Sequence, residues 1–242
     1  MIDYIVTEDN YQKFLEKIPN CWHVQFLDRD KGTKTNEEKA KAIFSFWNYL
    51  DLLTLENVEF CDEKTFGKRN LHHFSPKYLQ KSILKKIEEI LKIDPKAEII
   101  KEFQPYKGVS SYFIESKKQM KFEYLDLETN KKIVGSFNEA LRNLQKNKPK
   151  DSPYHDLFRG AHKCCLIRNL SIKTNRKLIL NCDSMIAPIV PFLAYYFSEI
   201  LHLDNRSKKS FWKTIEKFKA TDYLCALTTN NIIIKKYLSN LT

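Results

Sequence analysis

Residues 178–203 read LILNCDSMIAPIVPFLAYYFSEILHL, and this long apolar stretch decides which fold the sequence predicts. Pro188 and Pro191 interrupt it. Each proline removes a backbone donor and crowds the preceding turn of a helix, so the stretch cannot be one continuous helix. We interpret it as shorter helices joined at bends, and we therefore predict a mostly helical C-terminal part.

The sequence on both sides of this stretch supports the same interpretation. Residues 155–169 and about 207–220 carry apolar residues at helical spacing. Upstream, residues 147–153 read NKPKDSP, which is typical of a linker or a long loop. We therefore predict an α+β domain over residues 1–146 and a helical domain or subdomain over residues 154–242.

Two helices are predicted in the N-terminal half. Thr35 and Glu38 have the spacing of a capping box, and apolar residues follow at helical spacing over about 36–54. Ser75 and Pro76 supply an N-cap and a first-turn proline for a second helix that continues to Leu91. This second pattern is the clearest helix signal in the chain.

Between residues 97 and 136 the pattern changes to short alternating runs that indicate strands. The predicted strands are Ala97 to Gln104, Ser110 to Ser116, Lys121 to Leu127 and Lys132 to Ser136. A capping box at Ser136 then starts a short helix through Gln145. The fold class predicted is thus α+β, with N-terminal helices, a short antiparallel β-meander and a mostly helical C-terminal part.

The composition bounds the class of protein. Apolar residues make up 43% of the 242 residues and aromatic residues 13%, which is enough for a globular core and too much for a disordered chain. No stretch has the composition of a membrane span, and acids near the N-terminus do not fit a signal peptide. The six cysteines show no CxxC pair, which favours reduced thiols. We expect a cytoplasmic protein without a membrane partner.

The net charge of +11 is distributed unevenly along the chain. Residues 1–60 carry 7 basic and 11 acidic side chains, whereas the remaining residues carry a balance of +15. A basic surface of this size attracts polyanions, and nucleic acid, either RNA or DNA, is the expected partner. The acidic N-terminal region would contact a protein partner or the basic part itself. A lysine-rich coding bias is the competing explanation, since 34 of the 41 basic residues are lysines.

One basic tract is harder to attribute to coding bias, because it holds three of the seven arginines. The planar guanidinium group suits phosphate better than the lysine ammonium group does. We predict that this tract contacts backbone phosphates; a solvated face, or pairing with acids of the N-terminal sixty residues, is the alternative. Its members are Arg159, Lys163, Arg168, Lys173, Arg176 and Lys177.

The sharpest hint of catalysis is a predicted strand that ends in Glu115-Ser116-Lys117. Residues two apart on a strand point to one face, so Glu115 and Lys117 could address the same phosphate. This tripeptide resembles the second half of the PD-(D/E)xK nuclease signature, which implies an upstream acid, here Asp94, and a bound Mg²⁺ ion. A solvated strand end is the more ordinary alternative, and outside the nuclease hypothesis no cofactor is predicted.

Other candidate sites are weaker. The chain has no GxSxG elbow, no HExxH helix and no glycine-rich phosphate loop. His155, His162, Cys164 and Cys165 lack the usual zinc-ligand spacing, so we expect buried thiols and assign no metal site. The pair His72-His73 has no evident third group to orient it, so core or surface histidines are expected.

One short segment resembles a known helix. Residues 186–194, IAPIVPFLA, are similar to the proline-bearing helix of the anticodon-binding bundle in class I aminoacyl-tRNA synthetases. The resemblance implies a tRNA-binding helical module. The HIGH and KMSKS signatures are absent, and Tyr195 stands where that family has a glutamate. A buried helix with two proline bends also fits the segment and is the commoner case.

Three functions follow from the sequence. The leading hypothesis is a nucleic-acid-interacting protein or complex subunit that binds backbone phosphates through its basic C-terminal half. The second is a metal-dependent nuclease that uses Asp94, Glu115 and Lys117. The third is a non-catalytic adaptor whose apolar C-terminal helices dock on a larger partner.

Overall fold

The computed structural model describes residues 13, 16–28, 50–55, 57–60, 74–93, 100–102, 113–114, 120–136, 164–183, 185–204 and 212–228. They build an eight-stranded sheet and a separate two-stranded sheet. The strands are β1 (Asn20–Asp28), β2 (Leu50–Leu55), β3 (Ile100–Glu102), β4 (Phe113–Ile114), β5 (Phe122–Asp126), β6 (Lys132–Gly135), β7 (Cys165–Asn169), β8 (Lys177–Cys182), β9 (Glu199–Asp204) and β10 (Asp222–Thr228).

The large sheet is mixed. Its order is β2-β1-β10-β8-β9-β7-β5-β6. The five strands from β2 to β9 are parallel to one another, whereas β7, β5 and β6 continue the sheet in antiparallel pairs. Strand β8 lies in the middle, between β10 and β9, and the polypeptide crosses from β9 back over β8 to reach β10.

The prediction of a mostly helical C-terminal part is wrong, and β8 shows why. Leu178, Ile179 and Leu180 are all completely buried, although adjacent residues of a strand point to opposite faces. A parallel strand covered on both faces has a continuous apolar run, and such a run cannot be distinguished from a buried helix by periodicity. The stretch 178–203 therefore contains two strands, β8 and β9, with short helices between them.

Other parts of the predicted fold also need correction. Strand β7 occupies the end of the predicted helix 155–169, and β2 occupies the end of the predicted helix 36–54. The rest of both segments, and the helix predicted after Ser136, lie outside the described residues. Strands from both sides of residues 147–153 pair within the large sheet, so the described C-terminal strands belong to the same sheet as the N-terminal ones.

The predicted helix at Ser75 and Pro76 is confirmed. Its first turn, Pro76–Tyr78, passes into a π-helical segment, Leu79–Leu84, and then into Lys85–Leu91; we call the whole segment α1. The Ser75 Oγ atom accepts a hydrogen bond from the Tyr78 backbone N–H at 3.2 Å, as an N-cap does. Lys92, in the left-handed conformation, ends the helix.

The remaining helices are short. A 3₁₀ turn, Ala187–Ile189, precedes α2 (Val190–Leu193), and α3 (Trp212–Lys217) lies within the helix predicted at about 207–220. The segment that resembles a synthetase helix is thus a 3₁₀ turn and one helical turn between two strands, and no helical bundle surrounds it in the described residues. No helix in the described ranges has the length and apolar character needed to cross a membrane.

The predicted antiparallel pairing between residues 97 and 136 is partly confirmed. Strands β5 and β6 form an antiparallel hairpin at one edge of the large sheet. Strands β3 and β4 are also antiparallel, but they form the separate small sheet. The four strands therefore belong to two sheets and not to one meander.

Helices cover both faces of the parallel part of the sheet. On the first face, Leu178, Leu180 and Cys182 of β8 belong to one apolar cluster with α1 and α2. On the second face, Ile215 and Phe218, in α3 and just after it, are buried outside that cluster, and the Lys177 ammonium group lies 5.9 Å from the Phe218 ring centroid. The β8–β9 and β9–β10 connections therefore pass over opposite faces.

Arg176 joins the elements at the amino edge of the sheet, immediately before β8. Its guanidinium group forms two hydrogen bonds to the carboxylate of Asp222, at 2.5 and 3.2 Å, and donates a third to the Leu91 carbonyl oxygen at 3.1 Å. It also lies 5.0 Å from the Phe197 ring centroid. The C-terminus of α1 is thus held at the amino edge, so α1 runs antiparallel to β8.

We predict that Arg176→Met lowers the free energy of unfolding by about 3 to 5 kcal/mol, because it leaves the fully buried Asp222 carboxylate without its cation. Urea denaturation measures the effect. Lys173→Met is the matched control: Lys173 is exposed, and its substitution should change stability by about 0.5 kcal/mol or less. Equal effects of the two substitutions would contradict the structural role of Arg176.

Candidate functional site

The carboxyl edge of the parallel strands is the place where this topology forms a crevice. The connections after β8 and β9 diverge to opposite faces, so the ends of these neighbouring strands are not covered by one layer. In open α/β sheets, ligands bind at such a switch point, outside the carboxyl ends of the strands. The residues that follow β8 and end β10 are therefore the first candidates for a functional site.

Asp183, the residue directly after β8, is held by four hydrogen bonds. Its Oδ1 atom accepts from the backbone N–H groups of Met185 and Ile186 at 2.9 and 3.2 Å. Its Oδ2 atom accepts from both the N–H and the hydroxyl group of Thr228, each at 2.7 Å. The carboxylate is 1% exposed. Asp183 thus fixes the turn after β8 to the end of β10, and no lone pair of its carboxylate points at solvent.

The turn that Asp183 starts leads directly into the helical connection. The Asp183 carbonyl oxygen accepts hydrogen bonds from the N–H groups of Ile186 and Ala187, at 3.2 and 2.8 Å. Ser184 follows Asp183 in the sequence and lies outside the described residues. Both of its chain neighbours, Asp183 and Met185, are described, so the position of the chain on either side of this serine is defined.

Helix α1 begins at the same edge. Its C-terminus is tied to the amino edge by Arg176, and its Leu79–Leu84 segment contacts the Ala187–Ile189 turn that follows Asp183. Phe74, two residues before α1, is buried in the apolar cluster and forms an isolated antiparallel bridge with Phe60. The pair His72-His73 directly precedes Phe74 and lies outside the described residues.

His202 lies in β9, and its side chain is buried within the carboxyl half of the sheet. Its Nε2 atom is 3.5 Å from the Cys182 Sγ atom, and the imidazole is 2% exposed. Burial lowers the pKa of His202 to about 4, because the charged form loses its hydration. The imidazole is therefore neutral at physiological pH, and both groups are too deeply buried to meet a substrate.

Three members of the predicted phosphate-binding tract form ion pairs within the chain. Arg168 pairs with Glu123 at 2.7 Å and with Glu199 at 3.4 Å, and Lys177 pairs with Glu199 at 2.5 Å. Lys132 and Arg168 together hold the pKa of the Glu123 carboxyl below its ordinary value. These pairs connect strands across the sheet, and the acids involved, Glu123 and Glu199, lie outside the N-terminal sixty residues that the alternative named.

The third paired member of the tract is Arg176, and the other members are exposed or not described. Arg176 forms the buried pair with Asp222, and Lys173 is exposed. Arg159 and Lys163 lie outside the described residues. The tract is therefore not brought together as one phosphate-binding face among the residues that the structure describes, and its role in nucleic-acid binding stays a prediction.

The predicted nuclease residues are not described. Strand β4 ends at Ile114, immediately before Glu115, while Asp94, Glu115 and Lys117 fall in ranges that the structure leaves out. Within the described ranges, no group of three His, Cys, Asp or Glu side chains could hold a metal ion. The nuclease and its Mg²⁺ ion remain untested predictions.

The sequence interpretation missed Asp183 and Ser184. It treated residues 178–203 as helical, so it assigned no strand end and no turn to Asn181-Cys182-Asp183. A buried apolar run followed by Asp and Ser indicates the end of a central strand and a capped turn, once the run is recognised as a strand. The signal was present, but it depends on choosing strand over helix.

Comparison with solved structures identifies the fold. Bacillus cereus PatB1 with a sulfonyl adduct matches with a TM-score of 0.60 and 12% identity, over 95% of this chain and 87% of that chain. PatB1 in a second structure gives 0.57 and 13%, over 95% and 89%. A DHHW family protein from Eubacterium siraeum gives 0.54 and 16%, over 96% and 88%. No family model and no curated protein matches the sequence.

We predict that stability falls as the pH is lowered from 6.5 towards 5, because unfolded His202 binds a proton that the buried imidazole does not. Over the full shift the loss would approach roughly 3 kcal/mol. Urea unfolding at pH 7, 6 and 5 measures this loss of stability. These pH values lie above the range where most carboxylates titrate. The variant His202→Gln should show a flatter pH dependence, and an unchanged slope would contradict this account.

Proposed function

We propose that this protein is an acyl-transfer enzyme, a hydrolase or a transferase, whose nucleophile is Ser184. The observation that carries the proposal is the fixed turn after β8. The Asp183 carboxylate accepts two hydrogen bonds from this turn and two from Thr228, and Ser184 is the next residue in the sequence. A nucleophile needs a rigid support at an accessible edge, and the switch point supplies one.

The fold comparison supports the same chemistry. PatB1, which shares this fold, has been obtained with a sulfonyl adduct. Sulfonyl electrophiles react with nucleophilic side chains, and a serine hydroxyl becomes such a nucleophile when a neighbouring base removes its proton. At 12% identity the likeness extends to the fold, and the transfer of this reactivity to Ser184 is our proposal.

The general base in this proposal is one of the two histidines before Phe74. Helix α1 begins at the edge of the sheet where β8 ends. Because His72 and His73 precede this helix in the sequence, we propose one of them as the base that acts on Ser184. The imidazole would take the hydroxyl proton as the serine oxygen attacks the acyl carbon, and would return it to the leaving group. Water or a second hydroxyl compound would then accept the acyl group. Asp183 acts as a positioning residue, because its oxygens are already occupied.

Nucleic-acid binding is the second candidate function. The observation that favours it is the net charge of +11, together with exposed lysines of α1 that form no ion pair within the described residues. We also infer a cytoplasmic location, which is supported by the lack of any CxxC pair among the six cysteines of the sequence.

We predict that an aryl sulfonyl fluoride adds once to the protein and that Ser184→Ala abolishes the addition, because the attacking oxygen is gone. Intact-mass spectrometry and peptide mapping measure the modification. Hydrolysis of p-nitrophenyl acetate should fall at least about a thousandfold in the same variant. One of the variants His72→Ala and His73→Ala should lower both readouts, while the other should not.

Ser171→Ala is the matched control. Ser171 also lies just after a strand, β7, but at the opposite edge, where its Oγ atom accepts a hydrogen bond from the Lys121 N–H. This variant should be labelled like the original protein. Labelling that persists in Ser184→Ala, with circular dichroism showing a folded chain, would overturn the assignment of the nucleophile.

A further inference from the structure

A cleft of about 410 Å³ lies along the outer side of α1. One wall is formed by Asn57 and Glu59, and the other carries four lysines of the helix. They are Lys77, Lys81, Lys85 and Lys86. Among the described residues, the lining holds two acids, Glu59 and Glu89, against these four lysines, which is an excess of positive charge.

Three of these lysines form a row. Lys77, Lys81 and Lys85 recur at every fourth residue, so their side chains project from neighbouring turns of one helix face. All three are exposed, and within the described part of the chain none of them forms an ion pair. Their charge is therefore available to a ligand, whereas the charges of Arg168, Arg176 and Lys177 are already used inside the protein.

An exposed aromatic residue lies one position along the chain from the cleft wall. Phe60 is next to Glu59 in the sequence and is 43% exposed. One face of its ring is stacked on Phe74, with 5.9 Å between the ring centroids and 25° between the planes. This contact fixes the ring and leaves it partly open to solvent. A rigid, partly exposed ring beside a row of cations can stack against an unpaired base while the cations follow the backbone.

We propose that this cleft binds single-stranded nucleic acid, with the row of Lys77, Lys81 and Lys85 on successive phosphates and Phe60 on a base. The inference rests on the second proposed function, nucleic-acid binding, and it assigns that function to α1 instead of the arginine tract. A single strand is favoured over a duplex because stacking on Phe60 needs an unpaired base. An acidic polysaccharide has similar charge, but it offers no base to the ring.

The test uses the full chain and a fluorescent twelve-nucleotide thymidine strand, with anisotropy measured over a series of salt concentrations. The triple variant Lys77→Gln, Lys81→Gln, Lys85→Gln should bind at least about tenfold more weakly. Its slope of log affinity against log salt should be shallower by about 2, since each phosphate contact on a single strand contributes about 0.7. Phe60→Ala should weaken binding by about tenfold and leave the slope unchanged.

The matched control removes three other exposed lysines, Lys121→Gln, Lys131→Gln and Lys217→Gln, and should change the affinity by less than about threefold. If the original protein does not bind at low salt, both the second function and the cleft are excluded. If binding survives the cleft substitutions, or weakens equally in the control, nucleic-acid binding stands and the cleft is wrong. The proposal would also be overturned if duplex DNA bound as tightly as the single strand. The same holds if heparin bound as tightly as the single strand and Phe60→Ala had no effect.

Discussion

The pairing of Arg176 with Asp222 fixes the relation between the sheet and its main helix. A carboxylate that is completely buried needs a cation and further hydrogen bonds to offset the loss of hydration. Arg176 supplies the cation, and the Thr221 hydroxyl donates one more hydrogen bond to Asp222 at 2.6 Å. Because the same guanidinium group also binds the Leu91 carbonyl, one residue joins β8, β10 and α1. The direction of α1 across the sheet follows from this junction.

The same junction explains how this chain uses its basic residues. Arginine can form a bidentate pair and still donate elsewhere, so it suits positions where several elements meet. Arg168 and Arg176 both occupy such positions, between strands that are distant in sequence. Lysine is a single flexible charge, and Lys77, Lys81 and Lys85 remain at the helix surface. The positions of Arg168 and Arg176 therefore have a structural explanation, and α1 carries exposed lysine charge.

The sequence predicted the local features whose signals lie within a few residues. The Ser75 cap and the helix to Leu91 are confirmed, as are the antiparallel pairs β3–β4 and β5–β6. The sheet centre could not be predicted, because Leu178 to Leu180 are buried by elements that are far away in the sequence. The turn at Asp183 was missed as a consequence, because its Asp-Ser signal indicates a strand end only after Leu178 to Leu180 are recognised as a strand.

The two ends of α1 make different contacts with the sheet. At its C-terminus, Arg176 and the hydrogen bond from the Tyr196 hydroxyl to Glu88 hold the helix on the amino edge. In its first half, the Leu79–Leu84 segment contacts the turn after Asp183. A carboxylate as fully occupied as that of Asp183 can orient a turn but cannot remove a proton. In the proposed acyl transfer the base would therefore come from another segment, and the sequence places His72-His73 immediately before Phe74.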